Sequence, residues 1–328
     1  MTGESDPLLE RIVPSLAKLP GVVAVVLGGS RARGTGKSNS DYDIGLYYGR
    51  ETALDTSRLL AAVKNLVDDP ATAAVTPIGG WGPRIVGGGW LSVAGLKVDL
   101  LYRSVEAVRA VIADCRSGTI AMDYQPGHPH GFCSATWLGE VALCRPLHDP
   151  RDAIAALKVL SSPYPDKLRE ALIRTFLWEV SFSIDNGETA IARGDQTHVA
   201  GCAYRALCCI SQVLFALNRQ YLINEKGALA EATSFPHTVT GLSDRADRVW
   251  ATIGRTQLGS ALAELRTLDR DVRALVKRRS SPRIFPLSIP EEIPIISPRG
   301  FRFPKETRAR SPIPRKGDRH DSVMSLMS

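Results

Sequence analysis

Val22-Val23-Ala24-Val25-Val26-Leu27-Gly28-Gly29-Ser30-Arg31-Ala32-Arg33-Gly34, followed shortly by Asp41-Tyr42-Asp43, is the stretch that decides the fold. Six apolar residues bounded by glycine suit a buried central strand. Gly28-Gly29-Ser30 then turns the chain into a short helix over residues 30–35, and residues 36–39 form a loop. Glycine lets backbone approach a ligand closely, and free N–H groups at a helix start receive phosphate oxygens. Ser30 adds a hydroxyl donor, and Arg33, one turn on, a cationic clamp. Walker A is excluded because its first glycine would fall on Arg31, and a dinucleotide fingerprint starting at Gly34 would need glycine at Asn39.

Residues 41–48 read as a second strand. Side chains two apart on a strand share a face, with Cα atoms about 6.5–7 Å apart. Asp41 and Asp43 therefore converge on one space, where they repel each other unless a cation such as Mg²⁺ takes them as ligands. Asp99 sits between Val98 and Leu100 in another strand-like run, residues 96–102, joined to residues 91–93 by a tight turn at Ala94-Gly95. If the two strands are neighbours, three carboxylates face the Gly-Ser turn. Such a set suits two metal ions about 3.5–4 Å apart.

In this order, GGSRARG, then Ser-Asp-Tyr-Asp, then a distant hydrophobic-Asp-hydrophobic strand resembles the polymerase-beta-type nucleotidyltransferase superfamily over roughly residues 20–103. The resemblance implies phosphate binding at Gly28, Gly29 and Ser30, with Arg33 beside them, and metal binding by Asp41, Asp43 and Asp99. It implies attack by a hydroxyl on the α-phosphorus of an NTP, with pyrophosphate leaving and two Mg²⁺ assisting. A small catalytic domain followed by a helical one is similar to the bacterial antibiotic-modifying and minimal members. Some of those take a base from the helical part; Glu179 is the candidate here, and Asp185 a weaker one.

The rest of the chain sets the frame. Residues 52–67 carry helical periodicity, 78–89 are Gly- and Pro-rich and read as loop, and Ser104 caps a helix to about Cys115. Beyond Asp152 the pattern becomes helical, over 167–193, 197–223, 243–253 and 256–278, with no strand returning. Residues 280–328 hold 8 of the 21 prolines and read as a disordered tail. The expectation is an α+β fold: a mixed-sheet catalytic domain at 1–150, an all-α domain at 151–279 covering the cleft, and the tail.

Charge and composition bound the partners. Residues 277–328 hold 12 Lys or Arg against 5 Asp or Glu, which is the whole +7 excess; the remaining 276 residues carry 29 of each. A neutral body speaks against nucleic acid as partner. No apolar run reaches the roughly 18–20 residues of a membrane span, and the N-terminus lacks a secretory pattern, so a cytoplasmic location is expected. The six cysteines form no C-x-x-C pair and are expected to be reduced. His128-Pro129-His130 reads as loop, Arg193-Gly194-Asp195 as a helix stop and N-cap, and Trp81, Trp90, Trp137 and Trp178 as packing groups.

The functional expectation is transfer of a nucleoside monophosphate, AMP, from NTP to a hydroxyl of a small molecule or protein. Two rivals stand beside it: addition to RNA ends, and a non-catalytic nucleotide-sensing or antitoxin-like module.

Overall fold

The computed structural model describes residues 6–279; the tail expectation lies outside them. β1 (Val22–Leu27) and β2 (Tyr42–Tyr48) pair antiparallel, and β2 pairs parallel with β4 (Leu96–Ser104). β3 (Gly88–Val93) runs antiparallel to β4, and β7 (Arg145–His148) antiparallel to β1. The result is a five-stranded mixed sheet in the order β3-β4-β2-β1-β7. A second, two-stranded ribbon is formed by β5 (Met122–Gln125) and β6 (His128–Cys133).

The period of two along each strand decides what each sheet face carries. Val25, Leu27, Ile44, Leu46, Leu91, Val98 and Leu100 point to one side. There they are covered by α1 (Pro7–Ala17) and α3 (Thr56–Lys64) through Leu8, Ile12, Leu16, Leu59 and Val63. The alternate residues, among them Asp43, Trp90, Asp99 and Arg103, are thereby left to the opposite side. That face meets the helical part, whose core runs through α4 (Val105–Ser117), α5 (Ala135–Leu143), α6 (Ala153–Ser161), α7 (Asp166–Ile191), α8 (Gln196–Leu217), α10 (Leu242–Gly254) and α11 (Leu258–Arg279), with the short α9 (Ala228–Thr233) between α8 and α10. The α+β architecture follows: a mixed sheet first, then helices.

Several local readings hold. Ser104 caps α4 by accepting from the Ala107 N–H. Ala94 and Gly95 both take positive φ in the β3–β4 turn, 52° and 71°, the geometry that joins two antiparallel strands through two residues. Asp195 caps α8 through the His198 N–H. Others change. His128 to His130 form the start of β6 instead of a loop, and the Gly-rich segment ends two residues early, because Gly88 and Gly89 pair with Leu101 and Leu100. The helix expected over 197–223 stops at Leu217, where Arg219 adopts φ 55°. Two more short strands and α5 precede Asp152. α8 is, by length and hydropathy, long enough to cross a membrane, against the sequence expectation; its apolar window is two-thirds buried, as in a core helix. All six cysteines are free thiols, four of them buried.

Candidate active site

The Gly28–Ser30 turn opens directly from the end of β1. It is tied to β2 by the Gly28 N–H, which donates to the Asp43 carbonyl at 2.7 Å. Gly29 adopts φ +60°, and a Cβ there would lie 1.8 Å from Asp43 Oδ2. Only a residue without a side chain allows the carboxylate to lie against the turn. The helix that follows is a single turn, α2 (Gly29–Ala32). Arg31 is structural: its guanidinium donates to the Ser40 and Ser38 carbonyls at 2.9 and 3.0 Å and lies over the Tyr42 ring. It thus pins the loop that delivers Asp41 and Asp43.

Asp43 and Asp99 are direct partners across the parallel β2–β4 ladder. Neighbouring strands stand about 4.8 Å apart, so the two carboxylates project side by side from the same face. Both line a cleft of about 700 Å³ that also receives Gly28, Gly29, Ser30 and Arg33. Burial is the first cause that raises the Asp43 pKa, to about 6; the Asp99, Asp41 and Glu140 charges add to it, and the Lys226 cation opposes it. Asp99 is also raised, by burial and then by Asp41, with Lys97 and Lys226 opposing. Asp41 precedes β2 and is exposed; its charge reaches both partners, but its side chain does not line the cleft.

A divalent cation suits this chemistry. Two adjacent half-buried carboxylates that hinder each other's ionisation are oxygen donors in want of positive charge. As the side chains stand, no three His, Cys, Asp or Glu among the described residues are drawn together tightly enough to enclose an ion. The pair Asp43–Asp99 forms the preassembled part, and Asp41 would have to turn in to join it.

The opposite wall comes from elements that the sequence reading left unassigned. Lys226, in the segment between α8 and α9 (Ala228–Thr233), lines the cleft and acts on both carboxylates. A lone lysine in a loop carries no signal in sequence. Arg103, almost fully buried, makes a two-pronged pair with Glu140 at 2.8 and 2.7 Å at the cleft floor. His128 Nδ1 meets Glu225 at 3.0 Å on the rim. Arg33 donates to both oxygens of Glu231 on α9 at 3.2 Å, so the expected phosphate clamp is held in reserve by an acidic residue of the helical part.

Glu179 is not brought to the carboxylates. It accepts from Arg205 Nε at 2.6 Å, the same guanidinium binds His130, and Glu179 does not line the cleft. Asp185 pairs on the surface with Arg266. Trp81 and Trp90 do line the cleft, whereas Trp137 is buried and Trp178 stacks on Phe182.

Residues 9–72 match the model of the Nucleotidyltransferase domain family, consistent with the polymerase-beta-type superfamily. Residues 134–226, from the end of β6 to Lys226, match a domain of unknown function, DUF4037. Among solved structures, the chain is similar to a nucleotidyltransferase-like protein from Exiguobacterium sibiricum. The identity is 12%, covering 83% of this chain and 77% of that one, with a TM-score of 0.38. No curated protein matches the chain in sequence.

Proposed function

We propose that this protein transfers a nucleoside monophosphate, AMP, from an NTP to the hydroxyl of a small molecule or protein side chain. The observation that carries the reading is the registered pair Asp43–Asp99, standing on one sheet face against the Gly28–Ser30 turn in a single cleft. The turn offers the Gly29 and Ser30 N–H groups and the Ser30 hydroxyl to the β- and γ-phosphate oxygens, the Gly28 N–H being held by the Asp43 carbonyl. Arg33, which lines the same cleft, would exchange Glu231 for the same oxygens, one anion for another. Lys226 lines the far wall, where it would balance charge on the reacting phosphoryl group.

Asp41, Asp43 and Asp99 would hold Mg²⁺, which when bound supplies charge neutralisation for the triphosphate and acidifies the acceptor hydroxyl. Asp99, on the strand next to Asp43 and facing the same cleft, would take the hydroxyl proton. The acceptor oxygen then bonds to the α-phosphorus, and the bond from the α-phosphorus to the bridging oxygen breaks. Pyrophosphate leaves with that electron pair on the side of the turn. The neutral body keeps nucleic acid out of this reading, as it did from sequence.

The test is transfer of label from α-labelled ATP to acceptors in a cell extract, with mass analysis of whatever gains a 5′-nucleotide. Asp43→Asn and Asp99→Asn should each remove the transfer while leaving the fold intact by circular dichroism. Transfer undiminished in either variant refutes the assignment.

A further inference from the structure

We propose that the cleft carries an aromatic platform, Trp90 backed by Trp81, which binds the acceptor, and that the acceptor is a small hydroxylated compound with a flat-faced ring. The inference rests on the transfer reading for the direction of the reaction, and on separate geometry for the platform.

Four features stand in line across the sheet. They are the Gly28–Ser30 turn after β1, Asp43 on β2, Asp99 on β4 and Trp90 on β3. Trp90 is the direct ladder partner of Asp99 and shares its face. In phosphoryl-type displacement the entering and leaving oxygens lie roughly in line. With pyrophosphate leaving toward the turn, the acceptor enters from the other end of that line, the Trp90 end.

The indole is presented rather than packed. Trp90 is 71% exposed, and an exposed indole on an edge strand beside a carboxylate has no role in holding the sheet. Trp81 stacks on it with ring centroids 4.5 Å apart, so one face of Trp90 is supported and the other is free. A Cβ on Gly88, two residues before Trp90, would lie 1.7 Å from the Leu100 carbonyl oxygen and 2.8 Å from Trp81 Cζ3, so the bare backbone there serves the close β3–β4 approach and also leaves space for the Trp81 ring. A buried glutamine fixes the segment. Gln125 Nε2 donates to the Trp81 carbonyl at 2.7 Å, and Gln125 Oε1 accepts from the Ile85 N–H at 3.3 Å. Gln125 is a positioning residue for the platform. A supported indole binds the π-face of an aromatic ring or the C–H face of a saturated one, and either would leave a ring hydroxyl facing Asp99.

The test uses the full chain loaded with Mg²⁺ and α,β-methylene-ATP. It is titrated by tryptophan fluorescence and calorimetry with pyranosides, cyclitols, nucleosides and phenols, and with acyclic polyols of equal hydroxyl number. At least one ring compound should bind, weakened about 5- to 150-fold in Trp90→Ala, the range set by ring stacking on an aromatic side chain. Trp90→Phe should restore most of the loss, and Gln125→Leu should weaken binding of the ring compound in the wild type but cause no further weakening in Trp90→Ala. Three results overturn the proposal: Trp90→Ala weakens the ATP analogue itself, which assigns the platform to the nucleobase; acyclic polyols or an oligoribonucleotide show the Trp90 dependence instead; or no ring compound shows it. A ring compound that binds through Trp90 but gains no nucleotide from ATP leaves the platform standing and removes the transfer reading.

Discussion

Asp43→Asn should stabilise the metal-free protein while destroying its activity, and the stabilisation should depend on pH in a defined sense. In the folded chain the Asp43 carboxyl titrates near 6, against 3.8 when exposed. Each tenfold change in acidity is worth about 1.4 kcal/mol, so the folded state is penalised by about 3 kcal/mol once the group is ionised. A carboxyl raised on folding makes the native state bind more protons than the unfolded one. Its contribution is therefore intact below about pH 4 and lost as pH climbs to about 6. Asparagine keeps the shape and removes the charge, although desolvation of its amide takes back part of the gain. The expected advantage of the variant is about 1–3 kcal/mol at pH 8, or roughly 3–10 °C in melting temperature, shrinking toward zero at pH 4. Mg²⁺ at a hundred times its dissociation constant should restore about 2.7 kcal/mol to the wild type alone. Urea denaturation at pH 4.5, 6 and 8, with and without Mg²⁺, measures all of this. A difference that does not change with pH, or a variant less stable at pH 8, refutes the reasoning.

Gly29→Ala forces Asp43 Oδ2 away from a Cβ that would sit 1.8 Å from it and strains a φ of +60°; a displacement of about 1 Å in a catalytic group lowers turnover about 100-fold, read as pyrophosphate release. Glu140→Ala leaves the buried Arg103 guanidinium without its partner and should cost about 3–5 kcal/mol in urea denaturation, most of it recovered in the Arg103→Met, Glu140→Leu double variant. Lys226→Met removes the cation that holds down both carboxylates. It should raise the pH midpoint of Mn²⁺ binding and increase the ATP KM about 10- to 100-fold, the loss of one charge-assisted contact.

The half of the site built from contiguous sequence was legible, because short spacing and strand periodicity fix geometry locally. Gly28–Ser30 had to follow a strand, Asp41-Tyr42-Asp43 had to enter the next, and the Ala94-Gly95 turn had to reverse the chain before Asp99. The wall opposite was not legible. β7 carries Pro146 and is an edge strand, where proline is tolerated but the pattern is lost. The β5–β6 ribbon holds Pro129 and Gly131 within one strand and shows no alternation. Trp90 was concealed by Gly88 and Gly89: glycines that suggest loop are here part of β3, and once the strand begins at Gly88, Leu91 and Val93 turn inward and Trp90 must turn out. Lys226 and Glu231 meet the catalytic face only through the packing of α8 and α9, and no residue pattern announces that.

The charges in the cleft explain why such a wall is needed. Asp43 and Asp99 on adjacent strands, with Asp41 and Glu140 within range, resist ionisation, and a protonated carboxyl is a poor metal ligand. Arg103 offsets Glu140, and Lys226 offsets the pair from across the cleft. The sheet places two carboxylates side by side and sets Lys97 of β4 against Asp99; the cation that acts on both carboxylates, Lys226, arrives from the helical part. Separating the N-terminal segment at about residue 125 should therefore cost more than the contacts between the parts. The fragment would also lose β7, leaving β1 as an unpaired edge. Activity that survived such a cut would show the helical part to be dispensable for charge as well as for packing; we expect none, with soluble recovery and Mn²⁺ binding as the two readouts.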